Sequence, residues 1–423
     1  MVFVIERPRG TRDFSVKEME KRKFVEEKLR STFQSFGFQE IQTPTFEQLD
    51  LFTMKSGESI IDELYSFTDK GGRNLALRPE LTAPVIRMYV DQLQMESKPL
   101  KLFYFGNCYR YDRPQKGRYR EFMQAGCELI GTNTPEALSE LIAMAYHLLV
   151  KVDIKDITLD IGNLKLLTMI FKKMNINKDQ QKQLFPLIDK ELFSDVTEML
   201  EDFNFENNEI KQFISFIQQS NIEEIECYLN DDEDALKEVH KMKQLIHFLD
   251  SCFEVKDFHL NLGIVRGLDY YQGVVFEIKA PKLGAEKQIC GGGEYDLISL
   301  FNGRKTHTSG FALGFDRTIL SMELEDVSFP SKGLDYFIVP VNDDMIDIAI
   351  QIAMRLRLKE KRVDIDLMKR GIGKAMKYAG SKNTSKVIII GPREIENNMV
   401  TLRDMATGNQ QMLSIDTLDP IEA

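Results

Sequence analysis

The polar side chains that could do chemistry are concentrated in segment 101–131, where two strand-like stretches are joined by the loop RPQKGRY. Phe122, Gln124, Gly126 and Glu128 of the second stretch share one face, because successive side chains of a strand point to opposite sides. An amide and a carboxylate on either side of a glycine leave a concavity with polar walls. This pattern predicts a small ligand pocket.

Cations surround the same pocket. Strand one offers Gly106 and Arg110 at matching parity, since antiparallel pairing is the default for two strands joined by a short loop. The loop region adds four more basic residues: Arg113, Lys116, Arg118 and Arg120. Guanidinium groups match phosphate oxygens bidentately, so the cluster favours a bound polyphosphate such as ATP. An exposed basic turn screened by solvent is the alternative.

Two more arginines follow strand-like segments. Arg266 lies in GIVRGLDYYQG beside Tyr270 and Tyr271, where flanking glycines permit close approach of a ligand; core tyrosines at a strand start are the alternative. Arg317 in GFALGFDRTIL falls in a first helical turn, a place that favours anions. Asp316 could instead pair with Arg317.

Two shorter motifs complete the candidates. In LRPELT, a helix-capping role explains Thr82 but leaves Glu80 as a possible acceptor for a ligand ammonium. In CGGGEYD, the glycine run before Tyr295 could cradle a ligand or simply punctuate a loop.

Other chemistries are disfavoured. The chain has neither a GxxxxGK[ST] loop nor a strand-linked GxGxxG motif. Its five histidines and five cysteines lack metal-ligand spacing, so we expect no protein-held metal site and a reducing, cytoplasmic compartment. No apolar run is long enough to span a membrane. The net charge is −11, but the stretch between Arg355 and Lys386 has eleven Lys or Arg against three acids. This segregation favours a polyanion-binding region, with solvated helix faces as the alternative.

The elements that position these residues follow from periodicity and turn signals. A helix is expected over 16–36 and a short strand, broken by Pro44, over FQEIQTPTFEQLDLF. A hairpin around Gly71-Gly72, a helix near 82–96, and an apolar helix over 135–150 are also expected. Residues from about 163 to 255 are mainly helical and acidic, which indicates an insertion. After the linker DVSFPSKGLDYF, alternating strands and helices predict a compact α/β domain over 333–423.

Together these segments resemble the histidyl-tRNA synthetases, a family of class II aminoacyl-tRNA synthetases. RGTRDF with the 16–47 region resembles motif 1, YRYDRPQKGRYREFMQAGCELIG motif 2, and GFALGFDRTIL motif 3, while RGLDYYQGVVFE and GGGEYD resemble the two signatures of the histidine enzymes. The resemblance implies an α+β fold: a class II catalytic domain over 1–325, with an antiparallel sheet flanked by helices and the insertion, followed by an anticodon-binding domain over 333–423.

The resemblance also implies roles for particular residues. Histidine would be bound by ten positions: Glu80, Leu81, Thr82, Arg110, Gln124, Glu128, Arg266, Tyr270, Tyr271 and Tyr295. ATP would be bound by Arg110, Asp112, Arg118 and Arg317, with Arg110, Arg266 and Gln124 as the catalytic set. Mg²⁺ would accompany ATP, tRNA(His) would receive the histidyl group, and motif 1 would build a homodimer.

Two positions depart from the family pattern. Glu294 in GGGEYD stands where many members have Arg, which leaves a phosphate role there unsupported. Asp112 stands where motif 2 usually has Glu, so its shorter carboxylate would reach the adenine amino group less directly.

Three other interpretations compete. A regulatory paralogue that partners an ATP phosphoribosyltransferase would lack residues such as 333–423. A class II synthetase for Gly, Pro or Thr would not carry RGLDYYQG. A generic α/β RNA-binding module would leave Arg110, Gln124, Glu128, Arg266 and Arg317 unexplained.

Overall fold

The computed structural model describes residues 5–56, 58–113, 117–218, 220–265, 271–284, 287–415 and 418. Contacts divide the chain into two compact units. The first contains residues 1–15 and 22–328, and the second contains residues 16–21 and 329–423. Among the described residues, no helix is long and apolar enough to cross a membrane.

The first unit begins with a long helix and a group of short elements. Helix α1 ends as predicted just before Gly37, whose φ of +79° suits glycine. The segment LDLF, which we expected to continue a strand, is helical instead. These elements are α1 (Val16–Ser35), β1 (Gln39–Glu40), β2 (Phe46–Gln48), α2 (Leu49–Ser56), β3 (Ser66–Thr68), β4 (Asn74–Leu77) and α3 (Thr82–Met88).

The predicted hairpin around Gly71-Gly72 is confirmed, because β3 and β4 pair in antiparallel fashion and β4 also pairs with β2. The expected helix near 82–96 is shorter than predicted. It is α-helical to Met88 and continues as a π-helical turn over Tyr89–Leu93.

An eight-stranded sheet forms the centre of the first unit. Its order is β1-β5-β6-β11-β10-β9-β7-β8, and all neighbouring pairs are antiparallel except β1 with β5 and β7 with β8. The strands not yet named are β5 (Leu100–Tyr109), β6 (Glu121–Ile130), β7 (Thr158–Asn163), β8 (Phe258–Leu260), β9 (Tyr271–Lys279), β10 (Gln288–Tyr295) and β11 (Thr308–Gly314). Helices α4 (Pro135–Lys151) and α11 (Phe315–Leu324) contact the sheet. The expected antiparallel sheet flanked by helices is confirmed.

The insertion between β7 and β8 is helical, as expected. Its helices bury apolar faces, and four of the six begin at Asn or Asp side chains that accept hydrogen bonds from first-turn amides. They are α5 (Leu164–Lys173), α6 (Lys178–Asp189), α7 (Phe193–Asp202), α8 (Asn207–Gln218), α9 (Ile222–Tyr228) and α10 (Glu233–Ser251).

The second unit has a five-stranded mixed sheet of order β13-β12-β14-β15-β16, in which β12 runs parallel to both β13 and β14. Two apolar clusters, one on each side of β12, bury alternate residues of that strand. Its elements are β12 (Tyr336–Pro340), α12 (Ile346–Arg357), β13 (Val363–Ile365), α13 (Ile372–Ser381), β14 (Lys386–Ile390), α14 (Pro392–Glu396), β15 (Met399–Asp404) and β16 (Gln410–Ser414). The predicted α/β organisation is confirmed, with α14 as an additional short helix.

Candidate active site

A cavity of about 460 Å³ lies on the central strands β6, β9, β10 and β11. This volume is within the range of small-ligand sites. Ten of the residues singled out above line it: Glu80, Thr82, Arg110, Asp112, Arg118, Gln124, Glu128, Tyr271, Tyr295 and Arg317. Leu81 is not a lining residue, because its side chain is buried in an apolar cluster. Arg266 and Tyr270 lie outside the described residues.

Glu128 is the most deeply buried acid of the cavity, with 1% of its surface exposed. Its Oε1 accepts a hydrogen bond of 2.9 Å from the Tyr104 hydroxyl, and its Oε2 accepts one from the Tyr295 hydroxyl. Burial raises the pKa of the Glu128 carboxyl to about 8, although hydrogen bonds from Tyr295, Tyr104 and Thr82 oppose the shift. The carboxyl is therefore fixed in direction and easily switched between its neutral and charged forms.

Tyr104, which donates a hydrogen bond to Glu128, was not among the site residues predicted from the sequence. It pairs with Gly126 across β5 and β6, so it has the same parity as Gly106 and Arg110. A Cβ on Gly126 would lie 2.7 Å from the Tyr104 ring. The glycine therefore makes room for this tyrosine, and the concavity expected over Gly126 is filled by a side chain that directs Glu128.

The turn into α3 differs from the expectation for LRPELT. Glu80 provides the cap: its Oε2 accepts from the Thr82 amide at 2.7 Å, and its Oε1 accepts from the Ala83 amide at 3.1 Å. The N-cap residue Leu81 makes no side-chain cap, and Thr82 instead bonds toward Tyr104 and Glu128. The capping role assigned to Thr82 is wrong. These two amides hold the Glu80 carboxylate at the cavity wall.

Gln124 and Arg110 form the wall between Glu128 and the solvent-facing cations. The Cys108 thiol donates to Gln124 Oε1 at 3.3 Å, and Arg110 Nε donates to the Pro79 carbonyl at 2.9 Å. The Arg110 guanidinium also lies 5.3 Å from the centre of the Phe122 ring. Both side chains are therefore oriented from the strand face predicted by parity.

Two further cations border the other side of the cavity. Arg118 Nε pairs with Asp112 Oδ2 at 3.0 Å, and the Arg118 side chain is 43% exposed. Arg317 donates from Nη1 to the Gln288 carbonyl at 2.6 Å and from Nε to the Gly117 carbonyl at 3.3 Å. These two bonds to carbonyls position the Arg317 guanidinium at the cavity wall.

Asp316 does not neutralise Arg317 in the way that the alternative proposed. Its Oδ1 pairs with Arg12 at 2.7 Å and Arg22 at 2.5 Å, and its Oδ2 accepts from the Met123 amide at 2.8 Å. The N-terminal residues therefore compensate Asp316. Sequence analysis did not identify Arg12 or Arg22, because nothing in their local pattern shows which distant acid they meet.

The basic loop does not converge as a whole on the cavity. Arg120 packs on the Tyr111 ring at 3.9 Å and donates to the Asp112 carbonyl at 3.1 Å. Arg113 is exposed and does not line the cavity. Lys116 lies outside the described residues. Of the loop cations, Arg118 lines the cavity, whereas Arg113 and Arg120 do not and have solvent and an aromatic ring as neighbours, as the alternative for this loop describes.

The glycine run of CGGGEYD lies within β10 and is not a loop. A Cβ on Gly292 would overlap the backbone at Gly310 and Phe311, so close approach of two strands accounts for that glycine. Tyr295 and Gly291 line the cavity, whereas Glu294 does not. Glu294 instead pairs with Lys241 at 2.9 Å, so it has no access to a ligand in the cavity.

Glu277 is a second cavity residue that the sequence analysis missed. It lies on β9, opposite Gly291, and is 5% exposed. The signal was present, because an acid within the apolar run VVFEI requires an explanation. Across the described residues, no group of three or more His, Cys, Asp or Glu side chains could hold a metal ion.

Comparisons with known proteins agree with this geometry. A family model described as histidyl-tRNA synthetase matches residues 10–318, and one described as anticodon binding domain matches residues 335–420. The histidine–tRNA ligase of Methanocaldococcus jannaschii is 41% identical over 425 residues, covering 99% of both chains. That of Methanosarcina acetivorans is 42% identical, covering 98% of this chain and 97% of the relative.

A solved structure gives the same result for the fold. The apo histidyl-tRNA synthetase of S. aureus has a TM-score of 0.73 and 27% identity, and the likeness covers 98% of each chain. The chain is therefore an aminoacyl-tRNA synthetase and belongs to the histidyl-tRNA synthetase family.

Proposed function

We propose that this chain is a histidine–tRNA ligase that activates histidine with ATP and transfers the histidyl group to the 3′ end of tRNA(His). One observation carries the proposal: a single cavity joins the buried Glu128 carboxyl to the guanidinium groups of Arg110, Arg118 and Arg317. A polar pocket sized for a side chain lies beside cations suited to phosphates.

Histidine occupies the Glu128 side of the cavity. Glu80, Thr82 and Gln124 hold its ammonium group, with Leu81 in the backbone turn between the first two. Glu128 and Tyr271 hydrogen-bond the imidazole, with Tyr270 and Tyr295 beside them. An analogue without ring nitrogens loses the hydrogen bonds to Glu128 and Tyr271, so its kcat/KM falls several orders of magnitude below that of histidine.

Activation takes place where this subsite meets the cations. A histidine carboxylate oxygen attacks the α-phosphorus of ATP, the bond to the β-phosphate breaks, and pyrophosphate leaves. Arg110 binds the α-phosphate and the substrate carboxylate, and Arg266 stabilises the charge from the opposite side. Arg118 and Arg317 hold the outer phosphates, and Asp112 contacts the adenine. Positioning and charge stabilisation supply the rate enhancement, so this step needs no general base.

Transfer consumes the adenylate. A ribose hydroxyl of the terminal tRNA adenosine attacks the histidyl carbonyl, AMP leaves, and a phosphate oxygen of the adenylate accepts the hydroxyl proton. Gln124 and Arg110 keep the carbonyl oriented during this attack.

Mg²⁺ would accompany ATP, where it would supply positive charge to neutralise the phosphates. Because the ion binds through substrate phosphates, water and one or two carboxylates, it needs no protein cage. Glu277 and Asp112, two carboxylates that line the cavity, would hold the ion.

The second unit would recognise the tRNA anticodon. Residues 333–423 are assigned to this role, and residues 1–325, with the insertion of about 163–255, to catalysis. The match to an anticodon binding domain over 335–420 and the basic stretch from Arg355 to Lys386 support the assignment.

We further propose a cytoplasmic homodimer built through the motif 1 region. The small sheet of β2, β4 and β3 and its neighbours expose apolar side chains: Phe46, Met54, Ile61 and Phe67. Exposed apolar patches mark association surfaces. Sedimentation equilibrium of the purified protein measures the mass in solution, and a monomer at micromolar concentration would contradict the dimer.

Histidine-dependent exchange of pyrophosphate into ATP tests the main proposal. We expect exchange with histidine and with no other amino acid. Exchange with a different amino acid would refute the specificity. Absence of exchange with every amino acid would favour the regulatory paralogue, against which the presence of residues 333–423 already weighs.

A further inference from the structure

The ion pair between Lys241 and Glu294 connects the insertion to the catalytic sheet. We propose that it is a positioning contact, through which α10 sets the geometry of the histidine subsite. The inference rests on the histidine–tRNA ligase function proposed above. Neither residue lines the cavity, so both act through other side chains.

The pair is close and sheltered from water. Lys241 Nζ lies 2.9 Å from Glu294 Oε1, and the two side chains are 15% and 8% exposed. Removing one member of such a pair leaves the other charge buried without compensation, which is more damaging than removing both. The contact therefore fixes the position of α10 relative to β10.

Glu294 also fixes the beginning of β9. Its Oε2 accepts from the Val274 amide at 2.8 Å, and its Oε1 accepts from Asn133 Nδ2 at 3.4 Å. A Cβ on Gly273 would overlap the Glu294 carboxylate, so the glycine allows this approach. One carboxylate thus joins three segments: the loop after β6, the start of β9, and α10.

The next residue on β10 faces the cavity. The pairing of β10 with β9 shifts register between Gly293 and Tyr295, because three residues of β9 (272–274) lie opposite the single residue Glu294; Tyr295 is thereby placed opposite Tyr271. Bulges beside active sites redirect side chains. The Tyr295 hydroxyl donates to Glu128, and its ring meets the Tyr271 ring edge-on at 6.4 Å. The bulge held by Lys241 therefore aims both tyrosines at the histidine subsite.

Neighbouring residues of α10 provide a matched control. Lys243 lies two residues further along the helix and pairs at 2.6 Å with Glu226 of α9, inside the insertion. Loss of this pair removes a lysine charge from the same helix without disturbing the bulge.

Pyrophosphate exchange with full-length protein tests the inference. We expect Lys241→Met to raise the KM for histidine about tenfold, the size expected for losing one charge-assisted hydrogen bond, with KM for ATP within twofold of wild type. Lys243→Met should leave both constants near their wild-type values. The double variant Lys241→Met/Glu294→Gln removes both charges and keeps an acceptor for the Val274 amide, so it should recover most of the loss.

Three results would overturn the inference: an unchanged KM for histidine in Lys241→Met, an equal rise in both KM values, or a double variant as impaired as the single one. If Lys241→Met does not fold, Glu294→Gln takes its place, because it removes one charge of the pair and keeps an acceptor for the Val274 amide; an unchanged KM for histidine in that variant would overturn the inference. A wild-type protein without exchange would instead refute the proposed function, and the inference would fall with it.

Discussion

The two sides of the cavity are built differently. On the proposed histidine side, Glu128 is buried and accepts hydrogen bonds from Tyr104 and Tyr295. On the proposed phosphate side, Arg118 is partly exposed beside Asp112, and Arg317 donates to backbone carbonyls. A closed hydrogen-bonded network of this kind suits selection of one small ligand, whereas a partly exposed arginine beside the cavity suits contact with a larger anion.

The pH dependence of stability should reveal the buried side. The folded pKa of Glu128, about 8, exceeds its usual value of 4.5, so its contribution to stability is full below pH 4.5 and is lost as pH rises through 8. We expect this group alone to lower the free energy of unfolding by roughly 3–5 kcal/mol across that window. Urea unfolding at several pH values measures the effect.

Glu128→Gln serves as the control, because an amide does not titrate. The difference between wild type and this variant should shrink toward low pH. A difference that is constant from pH 5 to pH 8 would show that Glu128 is already charged when buried. The Glu128 side of the cavity would then not differ from the arginine side in holding a neutral group.

Removing a cation from the open side should impair activation without changing histidine binding. Arg317→Ala is expected to reduce kcat/KM for ATP by about 10²–10³-fold, as for other preorganised charge-stabilising donors. Exchange kinetics measure that loss, and calorimetry measures histidine binding without ATP. Arg113→Ala, which removes an exposed cation outside the cavity, should be close to wild type. Loss of histidine binding in Arg317→Ala would mean that the two sides are not separable.

Weakening the buried network should have a smaller effect, and that effect should fall on histidine and not on ATP. Tyr104→Phe deletes one donor to Glu128, so we expect KM for histidine to rise about five- to tenfold while KM for ATP stays unchanged. Tyr109→Phe is the control, since Tyr109 lies on the same strand but bonds weakly to Glu121, away from Glu128. Equal changes in both KM values would indicate general loosening of the strand.

The strand face of Gln124 and Glu128 could be predicted because side-chain alternation is strictly local. The same rule would have identified Tyr104, whose parity matches Gly106 and Arg110. It was overlooked because an aromatic residue in a strand is usually core, and the need for a donor to Glu128 appears only when the two strands pair.

Other features depended on contacts that periodicity does not encode. LDLF contains no signal that separates a short buried strand from a helical turn, and it forms part of α2. The capping role of Glu80 required the actual turn geometry. Asp316 meets Arg12 and Arg22 from nearly 300 residues away, which no local pattern reveals.

Gly310 lies opposite Glu128 in the pairing of β11 with β6, and a Cβ at that position would overlap the Glu128 carboxylate. The position of the Glu128 carboxylate in the pocket therefore depends on the absence of a side chain at residue 310. Position 310 cannot accept a larger residue even when residue 128 is shortened, because a Cβ there would also lie 2.5 Å from the Cys127 carbonyl oxygen. Libraries that aim to alter substrate choice should therefore vary residue 128 and keep glycine at 310.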